Sequence, residues 1–233
     1  MTAPGRRRAP APGSGTTLLV IAKEPVPGRV KTRLVPPCTP WQAAALAEAA
    51  LADTLHTVLA APARRRVLVL DGEPGPWLPP GFDIMPQCGG GLDERLAGAF
   101  AAVSGPALLI GMDTPQLTPG LLAVDWEVAD AWFGPAVDGG FWGLGLRAPD
   151  AALVRGVPMS TADTGAVQRA RLHAAGLRVA ELPRLRDVDT AADAVAVARQ
   201  APLSRFAARA RELAPVLGLA APARPAFAAR EQA

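Results

Sequence analysis

The stretch TLLVIAKEPVPGRVKTRLVPP, residues 17–37, joins an apolar run directly to a cationic loop, and it decides the fold assignment. Residues 17–22 are short, apolar and bounded by turn formers, which predicts a buried β-strand. Four cations then follow within eleven residues, together with a glycine and several prolines. This basic loop contains Lys23, Gly28, Arg29, Lys31 and Arg33.

Short apolar runs of this kind recur along the chain and alternate with helical patterns. Several are continuously apolar, which is typical of strands buried on both faces. The sequence therefore predicts an α/β fold with a mostly parallel central sheet and helices on both faces. Further strands are predicted at residues 66–70, 82–85, 107–110, 131–133, 142–146 and 178–181.

Capping signals mark where the predicted helices begin. Thr39 precedes Pro40 and Gln42, a pattern that predicts a capping box and a helix to about residue 60. A second capping box is predicted at residues 160–163, opening a helix that ends before Gly176. The other helices are predicted over residues 92–103, after Thr190, and over residues 204–217.

Length and composition favour one folded domain. The chain has 233 residues, of which half are apolar, so a sizeable core is expected. We predict a disordered tail at residues 1–15, a single catalytic domain at 16–220 and a frayed tail at 221–233. The formal net charge of +3 equals the charge of Arg6, Arg7 and Arg8 in the first tail. The predicted domain is therefore close to neutral, and no nucleic-acid partner is expected.

Cysteine use and hydropathy bear on where the protein works. Cys38 and Cys88 show no paired spacing typical of zinc sites, and a reducing cytoplasm is the simplest interpretation. No uninterrupted apolar run approaches the ~20 residues that a membrane span needs, so no membrane partner is expected.

The predicted sheet indicates where a ligand binds, because ligands of open α/β sheets lie beyond the carboxyl ends of the strands. The basic loop follows the first strand and suits an anionic ligand such as a nucleotide phosphate. It matches neither the Walker pattern nor G-x-G-x-x-G, and a solvated basic loop is the alternative. The phosphate-binding candidates are Lys23, Gly28, Arg29, Lys31, Arg33, Gly90 and Gly91, and Lys31 is also a catalytic candidate.

Two aspartates are candidate metal ligands. Asp113 follows an apolar strand, where a carboxylate loses solvation unless it is paired or binds a cation. A divalent ion that bridges carboxylate and phosphate oxygens would satisfy it, and a turn or capping role is the alternative. Asp187 is the candidate for a second carboxylate at that ion, whereas Asp189 or Thr190 is explained as a helix cap.

The segment DGGFW, residues 138–142, is the candidate acceptor site. Paired glycines let the backbone approach a ligand closely, and the two aromatic residues are able to wall a pocket. A tight hairpin with core aromatics is the alternative. Asp138 is a candidate general base. The acceptor-pocket candidates are Gly139, Gly140, Phe141, Trp142, Ser160 and Thr161, although capping is the favoured role for the last two.

Five motifs of the chain form a recognisable set, namely AKEPVPGRVKTRL, GGGLDERL, IGMDTPQL, GPAVDGGFWGLGL and LRDVDTAAD. Together they resemble a bacterial family of GT-A-type glycosyltransferases, some of whose members are tied to arsenosugar biosynthesis. The resemblance covers roughly residues 17–198. The KTRL element, Asp113 and the DVDT element are also similar to the guanylyltransferases that make deazaflavin cofactor precursors.

This resemblance implies a Rossmann-like GT-A or nucleotidyltransferase fold and a nucleotide donor held with Mg²⁺ or Mn²⁺. Arg29, Lys31 and Arg33 would then hold phosphates, Asp113 would be the main metal ligand and Asp187 a possible second. The chain departs from the usual patterns in three ways. Thr114-Pro115 replaces the rest of a D-x-D motif, the first loop has one glycine, and Phe-Trp stands where family members carry a tyrosine.

Three functions stay open from the sequence. The first is a metal-dependent glycosyltransferase that uses a nucleotide-sugar donor on a small-molecule acceptor. The alternative is a nucleotidyltransferase that joins a nucleoside triphosphate to a small phosphorylated or acidic acceptor and releases pyrophosphate. The second alternative is a non-catalytic nucleotide-binding protein. The apolar C-terminal helix is compatible with a homodimer.

Overall fold

The computed structural model of the chain describes residue 13 and residues 15–219. The tails predicted at residues 1–15 and 221–233 lie outside the described residues, apart from residues 13 and 15. A single seven-stranded sheet organises the described part, in the order β3-β2-β1-β4-β6-β5-β7. The strands are β1 (Thr17–Lys23), β2 (Arg65–Asp71), β3 (Asp83–Pro86), β4 (Ala107–Gly111), β5 (Ala131–Pro135), β6 (Phe141–Leu146) and β7 (Val179–Glu181).

The sheet is mostly parallel, as predicted. Strands β1 to β4 pair in parallel, and β5 pairs in parallel with β7. Only β6 runs the other way, antiparallel to both β4 and β5. The carboxyl ends of β1, β2 and β4 therefore meet at one edge of the sheet, where the basic loop and Asp113 begin.

Helices cover both faces of the sheet. On β1, Leu18 and Val20 pack into one core against α1, while Leu19 packs into the other core with α2 and α4 residues. A third core joins the outer side of α1 to the C-terminal helices around Phe206. The helices are α1 (Pro40–Ala60), α2 (Leu92–Ala101), α3 (Pro119–Leu122), α4 (Thr164–Ala174), α5 (Ala191–Gln200), α6 (Arg205–Glu212) and α7 (Ala214–Leu217).

Helix α1 begins as predicted. The Thr39 hydroxyl accepts from the Gln42 N–H, and the Gln42 side chain accepts from the Thr39 N–H. Among the helices of the described residues, α1 is the one that is long and apolar enough to cross a membrane by length and composition. In α1, 56% of that apolar window is buried inside the protein, which is expected of a helix between two cores.

Two helix predictions need correction. The predicted capping box at residues 160–163 does not form, because α4 begins only at Thr164 and Asp163 makes no side-chain cap bond. Ser160 has a φ of 59°, in the left-handed region, so the backbone at this residue does not lead directly into a helix. The predicted C-terminal helix is divided into α6 and α7 at Leu213, directly before a segment that carries Pro215 in its first turn.

Candidate functional site

A cleft of about 520 Å³ opens at the carboxyl edge of the sheet. One wall comes from the end of β1, the segment after β3 and the start of α2, and it includes Lys23, Gly90 and Arg95. The opposite wall comes from residues after β4, the β5–β6 turn, the loop before α4 and the segment between β7 and α5. That wall includes Asp113, Asp138, Gly140, Phe141, Ser160, Thr161 and Asp187.

Backbone hydrogen bonds bring the acidic segments together. The Val188 N–H donates to the Asp113 carbonyl over 3.1 Å, so residues 187–189 lie beside the end of β4. The Val137 N–H donates to the Leu185 carbonyl over 2.9 Å, which holds the same segment beside Asp138. Segments far apart in sequence thus meet in an aspartate cluster, which consists of Asp113, Asp138, Asp187 and Asp189.

Lys31 is the cation that joins two members of this cluster. Its Nζ lies 2.7 Å from Asp113 Oδ2 and 3.3 Å from Asp189 Oδ1, and its side chain is only 7% exposed. Desolvation by burial opposes the ammonium charge, but Asp113 and then Asp189 outweigh it and raise the Lys31 pKa. Lys31 is therefore a charged ammonium within the protein, held by two carboxylates.

The pKa of the Asp187 carboxyl lies far above its ordinary value. Burial is the main cause that raises its pKa to about 8, and the nearby Asp113 and Asp138 carboxylates raise it further. Lys31 opposes this effect without cancelling it. A carboxyl that resists ionisation next to other carboxylates is typical of a site that binds a cation.

Two carboxylate oxygens of the cluster are buried without a partner, namely Asp113 Oδ1 and Asp187 Oδ1. Buried oxygens of this kind are costly unless they bind a donor or a cation. They fit a hard divalent ion such as Mg²⁺ or Mn²⁺, which prefers carboxylate oxygens and keeps water or phosphate as its other ligands. Within the part of the chain that the structure describes, no group of three or more Asp, Glu, His or Cys side chains is arranged as a complete metal site. Asp113 and Asp187 are the two carboxylates that would hold such an ion.

The other predicted phosphate ligands divide into two groups. Lys23 and Gly90 line the cleft, whereas Gly28, Arg29, Arg33 and Gly91 do not. Arg33 Nη1 contacts Asp189 Oδ2 at 2.9 Å, and its side chain is 67% exposed. Arg29 is 61% exposed, with Asp71 only at 4.0 Å. Both arginine side chains are therefore mostly exposed to solvent.

A guanidinium that the sequence analysis did not single out faces the cleft from α2. Arg95 Nη1 donates to Asp71 Oδ2 over 2.9 Å and to Gln87 Oε1 over 3.2 Å, and its Nε donates to the Gly90 carbonyl. The Gln87 side-chain amide in turn donates to the Ala22 and Val69 carbonyls, which fixes its orientation. The sequence signal for Arg95 was its position in the GGGLDERL motif, one turn into a helix that follows a glycine loop.

The β5–β6 turn holds Asp138 against the loop before α4. Asp138 Oδ1 accepts from the Gly140 N–H over 2.9 Å, which orients the carboxylate. Gly139 has a φ of +94°, and a Cβ at that position would lie 2.0 Å from the Ala162 carbonyl oxygen, so only glycine fits. Asp138 is consequently placed by close backbone packing.

The predicted acceptor residues divide between cleft and core. Phe141, Ser160 and Thr161 line the cleft together with Gly140, whereas Gly139 does not. Trp142 also borders the cleft but is only 2% exposed, and its indole N–H donates to the Pro183 carbonyl over 3.0 Å. Trp142 therefore belongs mainly to the core, which matches the hairpin alternative for this residue.

Comparison with solved structures finds the same fold elsewhere. A Desulfovibrio desulfuricans G20 protein, described as a "putative nucleotide-diphospho-sugar transferase", is 27% identical, with a TM-score of 0.78 over 87% of this chain and 96% of that chain. A homologue of Mycobacterium tuberculosis rv0371c from Mycobacterium sp. strain JC1 is 20% identical, with a TM-score of 0.50 over 82% of this chain and 100% of that chain.

The third similarity is to CMP:2-keto-3-deoxy-manno-octonic acid synthetase in complex with CTP. It is 13% identical, with a TM-score of 0.52 over 86% of this chain and 100% of that chain. At such low identity, this similarity and the mycobacterial one show the fold alone. The predicted α/β fold of the GT-A and nucleotidyltransferase type is thereby confirmed.

A comparison with curated proteins gives no match. A family model does match, over residues 45–161, a span that includes Arg95, Asp113 and Asp138 but neither the basic loop nor Asp187. The matched span covers half of the chain, and the predicted relation to GT-A-like transferases agrees with the structural similarities. The chain belongs to the family described as "Uncharacterized protein conserved in bacteria (DUF2064)".

Proposed function

We propose that this protein is a metal-assisted transferase that takes a sugar from a nucleotide-sugar donor and passes it to a small acceptor molecule. The observation that carries the proposal is the aspartate cluster, with buried, unpartnered oxygens on Asp113 and Asp187 at the cleft. The similarity to the Desulfovibrio desulfuricans protein supports a nucleotide-utilising transferase in general.

The cleft offers different chemistry on its two walls. Lys23 and Arg95 present positive charge on the wall from β1 and α2, which suits the anionic donor. Asp113 and Asp187 would hold a Mg²⁺ or Mn²⁺ ion, which when bound offsets charge on the donor's diphosphate. Lys31, which contacts Asp113, and the exposed Arg29 and Arg33 of the basic loop would add positive charge for the phosphates.

The acceptor would lie against Phe141, Ser160 and Thr161, beside the Asp138 carboxylate. In the transfer, an acceptor oxygen forms a bond to the anomeric carbon of the sugar. The bond from that carbon to the diphosphate breaks, and its electron pair leaves with the nucleoside diphosphate. We assign to Asp138 the role of the base that would accept the proton that the acceptor hydroxyl loses.

Nucleotidyl transfer is the second candidate. The observation in its favour is that Asp113 is followed by Thr114 and Pro115, so no D-x-D pair stands at Asp113, where typical GT-A glycosyltransferases carry one. In this reaction the acceptor oxygen attacks the α-phosphorus of a nucleoside triphosphate. The bond to the β-phosphate oxygen breaks and pyrophosphate leaves. The same cations would neutralise the charge that develops on the phosphates.

Product analysis separates the two reactions. The protein would be incubated with Mg²⁺, a mixture of small hydroxylated acceptors, and in turn each common nucleotide sugar or nucleoside triphosphate, with ³¹P NMR as the readout. Acceptor-dependent formation of a nucleoside diphosphate from a nucleotide sugar supports the proposal. Pyrophosphate from a triphosphate supports nucleotidyl transfer instead. Equal turnover by an Asp113→Asn variant would contradict the assignment of the site in both cases.

A further inference from the structure

Lys31 occupies an unusual position for a phosphate-binding lysine. Its ammonium does not line the cleft but lies in contact with Asp113 and Asp189, at 2.7 and 3.3 Å. Arg33, two residues on, points outward and is mostly exposed. Arg33 contacts Asp189 alone, so of the two cations Lys31 is the one that contacts Asp113.

The chain holds Lys31 there through the residues that follow it. Lys31 has a φ of 48°, a left-handed conformation that non-glycine residues seldom adopt. A single 3-10 turn over Thr32–Leu34 comes next, and Leu34 is completely buried in the core shared with α1 and α5. Burial of Leu34 fixes the backbone, so the ammonium is directed at the cluster even though that backbone conformation is unfavourable.

The contact made by Lys31 coincides with the proposed metal ligand. Asp113 has one oxygen bound by the Lys31 ammonium and the other buried without a partner. A divalent cation at Asp113 would face a positive charge on the same carboxylate, and the two cations repel each other at this range. Simultaneous full occupancy of Asp113 by both is therefore unfavourable.

We propose that Lys31 is an internal counter-ion that competes with the divalent cation for Asp113 and so makes metal binding depend on the nucleotide. This inference rests on the proposed function, since it concerns the metal of that same site. Asp113 lines the cleft, so phosphates bound beside it would lie near the Lys31 ammonium and would offer it a partner in place of Asp113. Asp189 contacts the same ammonium, so the Lys31 charge would keep a carboxylate partner during that exchange.

Competition of this kind has a thermodynamic consequence. If phosphates strengthen metal binding by drawing Lys31 from Asp113, the metal strengthens phosphate binding by the same factor. The metal alone is then bound weakly. Removal of the Lys31 charge takes away the competitor, so the metal alone binds more tightly.

The test measures Mn²⁺ binding without nucleotide, by electron paramagnetic resonance of the free ion, in the full chain and in a Lys31→Met variant. We expect the variant to bind Mn²⁺ more tightly by on the order of tenfold, a typical coupling between two sites. Arg33→Met is the matched control, because it removes the same charge from Asp189 without touching Asp113. It should change Mn²⁺ affinity much less.

The outcomes are distinct from those of the proposed function. Mn²⁺ affinity in Lys31→Met that is unchanged or weaker, or equal tightening by Arg33→Met, overturns the inference even if the protein transfers sugars. Tighter Mn²⁺ binding in Lys31→Met alone upholds it even if no nucleotide sugar reacts. Should Lys31→Met fail to fold, Lys31→Gln replaces it, since a neutral amide is able to donate to both carboxylates.

Discussion

Asp187 is buried beside other carboxylates. The pH dependence of folding stability therefore tests the geometry of this site directly. In the folded protein its pKa is about 8, against an ordinary value of 3.8, mainly because of burial and then because of Asp113 and Asp138. Between these two values the folded state holds a proton that the unfolded state has lost. The free energy of unfolding therefore falls as the pH rises through this window.

The magnitude follows from the pKa difference. One pKa unit corresponds to about 1.4 kcal/mol, so the contribution of Asp187 falls by that amount for each pH unit between pH 4 and 8, roughly 6 kcal/mol in all. Above pH 8 it levels off. An Asp187→Asn variant, neutral at every pH, lacks this dependence and should become the more stable protein at alkaline pH in a chelator.

The assay is urea unfolding at pH 5, 6, 7, 8 and 9 in the presence of EDTA, followed by tryptophan fluorescence. The quantity compared is the difference in unfolding free energy between the wild type and Asp187→Asn. Titrating groups distant from Asp187 are common to both proteins and cancel in this difference. A difference that stays constant from pH 5 to 8 would refute the conclusion that Asp187 is desolvated beside other carboxylates.

Three further predictions concern the cleft and its framework. Asp113→Asn should abolish turnover, measured with whichever donor reacts, while circular dichroism shows an unchanged fold; full turnover would show that Asp113 is not the main metal ligand. Arg95→Gln should weaken nucleotide binding by roughly tenfold in calorimetry, as expected for loss of a charge-assisted hydrogen bond, whereas Arg65→Gln, outside the cleft, should not. Gly139→Ala should lower the free energy of unfolding in urea by about 3 kcal/mol or more, because its Cβ meets the Ala162 carbonyl. Gly176→Ala, which has open space around it, should lower it by about 1 kcal/mol. Equal losses in the two variants would contradict the packing account.

Much of the fold is predictable from local sequence patterns. The continuous apolar runs at β1, β2 and β4 identified buried parallel strands, since only strands covered on both faces lack polar alternation. The capping box at Thr39 is predictable from the sequence because all of its partners lie within four residues. The direction of β6 was not predictable in this way, because strand direction depends on which neighbour a strand meets in the folded chain.

The candidate site was predictable in its parts but not in its contacts. Asp113 and the basic loop were expected at the ligand edge of the sheet, and they lie there. The ion pair between Lys31 and Asp189 joins residues 158 positions apart, and no local pattern encodes it. Of the two residues predicted as helix-cap candidates, Thr190 does cap α5, whereas Asp189 contacts the two cations of the KTR segment.

Arg95 was missed for a related reason. Its role depends on Asp71 at the end of β2 and on Gln87 after β3, which meet only once the sheet has formed. The same holds for Ser160, where the sequence matches a capping box and the backbone instead takes a left-handed turn. Side chains that serve a site are arranged by tertiary packing, and sequence patterns alone do not report it.

The central claim is that the aspartate cluster binds a divalent cation together with a nucleotide. It is tested most directly by thermal shift of the wild type and Asp113→Asn against nucleotide sugars and nucleoside triphosphates, each with and without Mn²⁺. A ligand at 100 times its Kd adds about 2.7 kcal/mol of stability. We predict a clear rise in Tm for one nucleotide class that requires Mn²⁺ and is lost in Asp113→Asn. A rise that is the same without Mn²⁺ or in the variant, or no rise with any nucleotide, would contradict the account.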